Sequence, residues 1–357
     1  MKEIYVFGAG ASTASAGAPL GRDLGWDYCL QCCKLFEIGS NGKPKQNSID
    51  ERKEEFKNYI KFLEIVGKYY SEYKNEATKA IEDISEGATH LPPFFIDKKY
   101  CIDEILKIIQ DNNDEESLKI IKKIIFEHIS ESILPYSNSN ILYKNFLKIL
   151  KSKSADNITI ISFNFDTLLR EDYEDDIYID YLLNFDYIQR SGYKYNNNCL
   201  SVIKLHGSFD WGICSKCKKL VLFHWHLRRD SYDKEICRNC KNNLEPFVII
   251  PHIKEENNRM LELWNVASKK IKGAEKITII GYSFPDYDIE AKELFKNNIN
   301  PNVEINVIDY VDKNEESKMK KDKIYQKFNK IFSNTNNIKV NLVGFENYLN
   351  NYERIKQ

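Results

Sequence analysis

No charge of one sign dominates this chain: 52 lysines and arginines stand against 53 aspartates and glutamates, a formal net charge of -1. So close a balance argues against a chain-wide electrostatic grip on nucleic acid or on an anionic membrane. No apolar run approaches the roughly 18 residues that a membrane helix needs. Met1-Lys2-Glu3 leads directly into a short apolar strand, without the basic and apolar layout of a secretory leader. The protein is therefore expected to be soluble and cytoplasmic, with no membrane partner. A disulfide scaffold is also lacking, because four of the nine cysteines fall in a metal-binding pattern and the others are irregularly placed. Neither an internal repeat nor a low-complexity linker occurs, and the charge run from Lys313 to Lys323 reads as the solvated face of a helix.

What is present starts with four cysteines, Cys214-x2-Cys217 and, after nineteen residues, Cys237-x2-Cys240. A two-residue gap lets one tight turn present two sulfurs to one ion, and two such turns complete a tetrahedral thiolate site for Zn2+. Four thiolates leave no position for a water, so the zinc is read as structural rather than catalytic. Buried or disulfide-bonded cysteines are the alternative reading. Cys29, Cys32 and Cys33 share one face of a helix and are read as core, while His224 and His226 lie inside the zinc segment and are not needed as ligands. That segment is basic, with Lys216, Lys218, Lys219, Arg228, Arg229, Arg238 and Lys241, and is compatible with docking a protein or nucleic acid.

Short apolar β-rich runs alternate with helical periodicities over much of the chain. Strands are predicted at Glu3 to Phe7, Ile158 to Ile161, Ser201 to Leu205, Phe247 to Ile250, Lys276 to Ile280, Val303 to Ile308 and Lys339 to Val343. Helices are predicted at Asn257 to Lys272, Ile289 to Asn298 and Glu315 to Phe332, and a long helical stretch follows the first strand. There Ile102, Ile105, Leu106 and Ile109, then Ile120, Ile121, Ile124 and Ile125, repeat with a period near four. The pattern specifies an α/β fold, a Rossmann-like doubly wound and mainly parallel sheet with two additions. Residues 1–22, 154–213 and 246–357 form the sheet domain, 23–153 a helical insertion and 214–245 a zinc-ribbon module.

Four segments carry the candidate chemistry. Gly8-Ala9-Gly10-Ala11-Ser12 follows the first strand as a tight loop suited to a pyrophosphate, although Thr13 stands where a dinucleotide fingerprint has its third glycine. Gly281-Tyr282-Ser283 closes a later strand in the same way, and ligands of open α/β sheets bind at such carboxyl ends. Ile161 to Thr167 ends a strand with Asn164 and Asp166 flanking an aromatic; the Asp fits a helix N-cap equally well. His206 ends another strand beside Gly207, a neighbour that would let a ligand approach, and imidazole suits general-base work at neutral pH. A satisfied structural histidine is the competing reading.

Together these segments resemble the sirtuin family over nearly the whole chain apart from the helical insertion. Gly8-Ala9-Gly10-Ala11-Ser12, with Gly17-Ala18-Pro19 and Arg22, is similar to its cofactor loop, Ser162-Phe163-Asn164-Phe165-Asp166 to its Thr-Gln-Asn-Ile-Asp motif, and Gly281-Tyr282-Ser283 to its Gly-Thr-Ser. His206-Gly207 stands where the catalytic His-Gly does, followed by the four cysteines. The resemblance implies NAD as substrate, His206, Asn164 and Asp166 as catalytic residues, and Gly8 to Ser12, Pro19, Arg22, Asn164, Asp166, Gly281 to Ser283 and Asp309 as its binding site. Leu20-Gly21 replaces the Asp-Phe of the cofactor loop, Phe163 replaces the motif Gln, and Phe247 to His252 lacks the Phe-Gly-Glu that takes a peptide. These departures resemble divergent bacterial sirtuin-like proteins that hydrolyse NAD in phage defence. The expected function is hydrolysis of the nicotinamide–ribose bond of NAD, with a protein trigger or partner and a homo-oligomer. Its alternatives are an NAD-dependent protein deacylase and a noncatalytic module that senses NAD or ADP-ribose.

Overall fold

The computed structural model describes residues 1–18, 20, 53–70, 74–85, 102–133, 140–151, 153–169, 177–189, 199–223, 236–249, 258–310 and 317–356. Two compact units emerge, Met1–Ala18 with Ser130–Gln357, and Pro19–Ile129. Strand β1 (Glu3–Phe7) and helix α1 (Ala9–Ala16) open the first unit. The second contains α2 (Lys53–Tyr69), α3 (Lys74–Ser85), α4 (Ile102–Asp111) and most of α5 (Glu115–Ile133), which crosses the division. Its core follows the helical period: Tyr59, Phe62, Leu63 and Val66 are buried on α2, Ile105, Leu106 and Ile109 on α4, and Ile121 and Ile124 on α5.

The first unit continues with α6 (Ile141–Lys151), β2 (Ile158–Ser162), β3 (Ile179–Asp180), β4 (Tyr187–Gln189), β5 (Leu200–Lys204), β6 (Gly207–Cys214), β7 (Leu220–Phe223) and β8 (Leu244–Val248). Then come α7 (Asn258–Lys272), β9 (Lys276–Ile280), α8 (Ile289–Asn298), β10 (Glu304–Ile308), α9 (Ser317–Ile331), β11 (Ile338–Asn341) and α10 (Gly344–Lys356). Seven strands form one parallel sheet in the order β11-β10-β9-β1-β2-β5-β3. Every residue of β2 is buried, as is all of β1 after Glu3, the expected signature of a sheet covered on both faces.

Strand order explains the double winding. From β1 the chain steps one way to β2, and from β9 it steps the opposite way to β10. Right-handed crossovers in opposite directions place their helices on opposite faces. Accordingly α1, α6 and α10 pack together, and α7 to α9 form a second group. Tyr5 and Phe7, two residues apart on β1, meet the first group through Phe146, Tyr143 and Phe345. The switch in direction lies between β1 and β9, so the crevice opens at their carboxyl ends.

A second, four-stranded sheet in the order β4-β7-β6-β8 carries the cysteines. The sequence places the run beginning at Phe247 among the strands of the parallel sheet; instead β8 pairs antiparallel with β6 in this smaller sheet. None of the helices among the described residues is long and apolar enough to cross a membrane.

Candidate active site

Strand ends in the parallel sheet are level with one another. The ladder continues one residue past them, with Phe163 N donating to Phe7 O at 3.0 Å, Leu205 N to Ser162 O at 3.1 Å, Gly8 N to Ile280 O at 3.2 Å and Gly281 N to Ile308 O at 3.3 Å. This register gathers the segments after β1, β2, β5 and β9 at one edge of the sheet.

Gly8 to Ser12 is not a loop, as the sequence suggested. The helix begins at Ala9, with Gly8 as its N-cap, because Gly10 N donates to Gly281 O (3.0 Å) and Ala11 N to Gly8 O (3.0 Å). A methyl group on Gly8 would lie 2.5 Å from Tyr282 Cα, and one on Gly281, at φ 64°, would lie 2.2 Å from Ala11 N. The two glycine segments thus interlock backbone to backbone. Ala11 and Ser12 are buried within this helix.

Ser12 joins that helix to the residues after β2. Its hydroxyl donates its one proton to Asp166 Oδ2 at 2.7 Å and accepts from Asn164 Nδ2 at 2.9 Å; having no second proton, it accepts from the Tyr143 hydroxyl at 3.1 Å. Asn164 Nδ2 also donates to Gly8 O at 3.0 Å, while nothing among the described residues donates to Asn164 Oδ1. Asp166 caps no helix: Oδ1 accepts from Leu168 N at 3.0 Å in an Asx-type turn. Beneath it Lys204, 2% exposed, donates to the Asp166 main-chain oxygen. Burial pushes the Lys204 ammonium below its ordinary range, against the attraction of Asp166 and Asp210.

His206 sits 5% exposed at the end of β5, edge-on to Phe163. Nδ1 lies 3.2 Å from Phe163 O, and Nε2 lies 3.2 Å from Oδ2 of Asp288. Asp288 is the N-cap of α8, accepting Ala291 N, and it also accepts the Tyr282 hydroxyl. Burial raises the Asp288 carboxyl, but His206, Tyr282 and Ala291 outweigh it and hold the group below the ordinary carboxylate range. Tyr282 stacks on Phe163 with centroids 4.1 Å apart and planes 6° from parallel. Gly207, at φ 76°, admits a strand rather than a ligand, since a methyl there would stand 2.2 Å from Phe247 O.

Gly8 to Ser12, Asn164, Asp166 and Gly281 to Tyr282 are therefore linked by direct contacts, and His206 joins them through Phe163 and Asp288. Ser283 is exposed next to them. Asp309 ends β10 two strands from β1, about 10 Å away by strand spacing, and its Oδ1 accepts Tyr310 N at 2.7 Å. Pro19, Arg22, Cys29, Cys32, Cys33, His224 and His226 lie outside the described residues. Sequence reasoning missed Asp288, Lys204 and Tyr143. Asp288 before an apolar helix reads only as a cap, and nothing local connects it, or Tyr143 on α6, to residues far away in the chain.

The sulfurs of Cys214, Cys217, Cys237 and Cys240 all lie within 4.8 Å of one another and could hold a metal ion. Their two turns repeat each other. Lys218 N donates to Cys214 O at 3.0 Å and Lys241 N to Cys237 O at 2.9 Å, with φ 55° at Lys218 and 61° at Lys241. Cys214 N and Cys237 N each donate to the carbonyl five residues on, at Lys219 and Asn242. Such matched turns and an all-sulfur donor set fit tetrahedral zinc.

No family model and no curated protein matches the chain. Solved structures that are similar include a Sir2 bound to a propionylated peptide, 15% identical, covering 66% of this chain and 79% of that one with a TM-score of 0.38. A Sir2–p53 peptide–NAD+ complex is 13% identical over 66% and 78%, with a TM-score of 0.39. Sir2 in complex with the inhibitor EX-527, 2′-O-acetyl-ADP-ribose and deacetylated p53 peptide is 11% identical over 100% and 94%, with a TM-score of 0.42.

Proposed function

We propose that the chain is a sirtuin-like NAD hydrolase, cleaving the bond between nicotinamide and ribose with water as acceptor. One observation carries the reading: Ser12, Asn164, Asp166 and His206, drawn from three strand ends, gather beside the switch point of a parallel sheet. The positive end of the α1 dipole suits the pyrophosphate, although Gly8 N, Gly10 N and Ala11 N are already taken by Ile280, Gly281 and Gly8 oxygens. Asn164, with Nδ2 committed to Gly8 and Ser12, keeps Oδ1 for a ribose hydroxyl or a water. Asp166, fixed by Ser12 and Leu168, supplies negative charge toward an oxocarbenium-like transition state.

In the reaction the bond from the anomeric carbon to the pyridinium nitrogen breaks and its electron pair neutralises the departing nicotinamide. Water oxygen bonds to that carbon, and its proton passes to Nε2 of His206 acting as general base. Zinc on Cys214, Cys217, Cys237 and Cys240 would cross-link the small sheet and take no part in the chemistry. Water is favoured over an acyl-lysine peptide because Leu20-Gly21 lacks the aromatic that shields the reactive ribose from water in sirtuin deacylases and Phe247 to His252 lacks their Phe-Gly-Glu substrate segment.

The test measures nicotinamide release from NAD with and without an acyl-lysine peptide. Slow, peptide-independent release is expected from the native protein, reduced about a hundredfold in His206→Ala and in Asn164→Ala. Release only in the presence of the peptide would make the chain a deacylase; NAD binding without any release would leave it a sensor.

A further inference from the structure

The start of α6 meets the site at two rungs, one helical turn apart. Asn140, directly before the helix, accepts the Ser15 hydroxyl on Oδ1 at 2.7 Å and donates from Nδ2 to Leu168 O. Tyr143 reaches Ser12 Oγ at 3.1 Å, and Ser12 in turn donates to Asp166 Oδ2 at 2.7 Å. Ser12 and Ser15 share one face of α1, as residues three apart do. Each rung therefore joins α1, the start of α6 and the segment after β2. Both grip the same turn, because Asp166 Oδ1 accepts Leu168 N at 3.0 Å.

The Tyr143 ring is packed among phenylalanines. Phe7 and Phe345 stand edge-on to it with centroids 5.2 and 5.7 Å away, and a phenylalanine would fill that space without burying a hydroxyl. Tyr143 is 1% exposed, and its hydroxyl lies 3.1 Å from Ser12 Oγ and 3.5 Å from Asn164 Nδ2. Burial, and after it the charge of Asp166, pushes the phenol above its ordinary range, so it keeps a proton to give. Ser12 Oγ has one proton and two lone pairs; the proton goes to Asp166, and the lone pairs take Tyr143 and Asn164. Every bonding position on that oxygen is filled, which leaves the hydroxyl a single orientation.

We propose that Tyr143 is a positioning residue acting through Ser12: its hydroxyl fixes the direction of the Ser12 proton and so holds Asp166 and Asn164 toward the ribose. The phenol itself moves no proton in the reaction. The proposal rests on the reading of Asn164 and Asp166 as groups that act on NAD.

The experiment compares nicotinamide release from NAD by the full chain and by its Tyr143→Phe, Ser12→Ala and double variants. Tyr143→Phe should keep KM within about twofold and lose about tenfold in kcat, the scale of one hydrogen bond felt in the transition state. Its melting temperature should fall by only about 2–4 °C. The double variant should be no slower than Ser12→Ala, because the phenol acts through that oxygen. A merely structural tyrosine would lower the melting temperature without separating kcat from KM, and its loss would multiply with that of Ser12→Ala. If Tyr143→Phe does not fold, Tyr143→Met, whose flexible chain adapts to the space, carries the comparison. Wild-type turnover in a folded Tyr143 variant, or losses that multiply in the double variant, overturns the proposal. Should no protein release nicotinamide, it is the hydrolase reading that fails. Denaturant unfolding of the same variants then decides whether the two hydroxyls are coupled: additive losses overturn the positioning role, and non-additive losses uphold it.

Discussion

Gly8 and Tyr282 touch backbone to backbone, so closely that a methyl group on Gly8 would lie 2.5 Å from Tyr282 Cα and 2.7 Å from the Gly281 carbonyl oxygen. Neither obstacle is a flexible side-chain end, so the two strand-end segments would have to separate. Gly8→Ala is expected to cost about 2 kcal/mol, the usual scale of forced overpacking, and to weaken NAD binding. Chemical denaturation and a binding titration on the same preparation check both effects.

Ser12 binds three partners through one oxygen. Ser12→Ala leaves the Asp166 carboxylate, the Asn164 amide and the Tyr143 hydroxyl each short of a partner, at a cost of about 1–3 kcal/mol. Ser12→Thr keeps the hydroxyl and should lose less. Denaturant midpoints of the pair, read beside nicotinamide release, separate loss of the hydrogen bonds from loss of the fold.

Lys204 is a buried cation whose attraction reaches Asp166 and Asp210. Lys204→Met removes the charge but keeps the apolar stem, leaving buried acidic groups without compensation, and is expected to cost about 3 kcal/mol. Thermal or denaturant unfolding measures the change.

The Asp288 carboxyl stands below its ordinary range because His206, Tyr282 and Ala291 outweigh burial. A carboxyl whose folded value is depressed contributes stability that is present above the unfolded value, near pH 4, and is lost as pH falls through the folded value. Melting temperature should therefore fall more steeply in acid for wild type than for Asp288→Asn. Parallel acid limbs in the two titrations would contradict this assignment.

With four sulfurs within 4.8 Å, purified protein is expected to contain about one zinc per chain. Cys237→Ser should lose the metal, and the small sheet and nicotinamide release should be lost with it, because binding energy is folding energy in such a site. Metal analysis, circular dichroism and activity on one sample provide the check; a zinc-free variant that kept both would show the sheet to be self-supporting.

The alternation of apolar strands and periodic helices determined the α/β class by itself, and β9 and α8 coincide with their predicted bounds, Lys276–Ile280 and Ile289–Asn298. Period and end signals are local, so residues near in sequence suffice for them. The cysteine spacing was legible for the same reason, since each pair is made by one turn. Tertiary structure alone decided which strands neighbour one another, that β8 joins the cysteine-bearing sheet, and that the glycine segment after β1 is a helix start braced on Gly281. It alone set Asp288 against His206 and Tyr143 against Ser12, 131 residues apart. Contacts between distant segments depend on strand order and register, which no local pattern encodes. His206 was therefore visible in the sequence as a candidate base, while the Asp288 carboxylate 3.2 Å from its Nε2 was not.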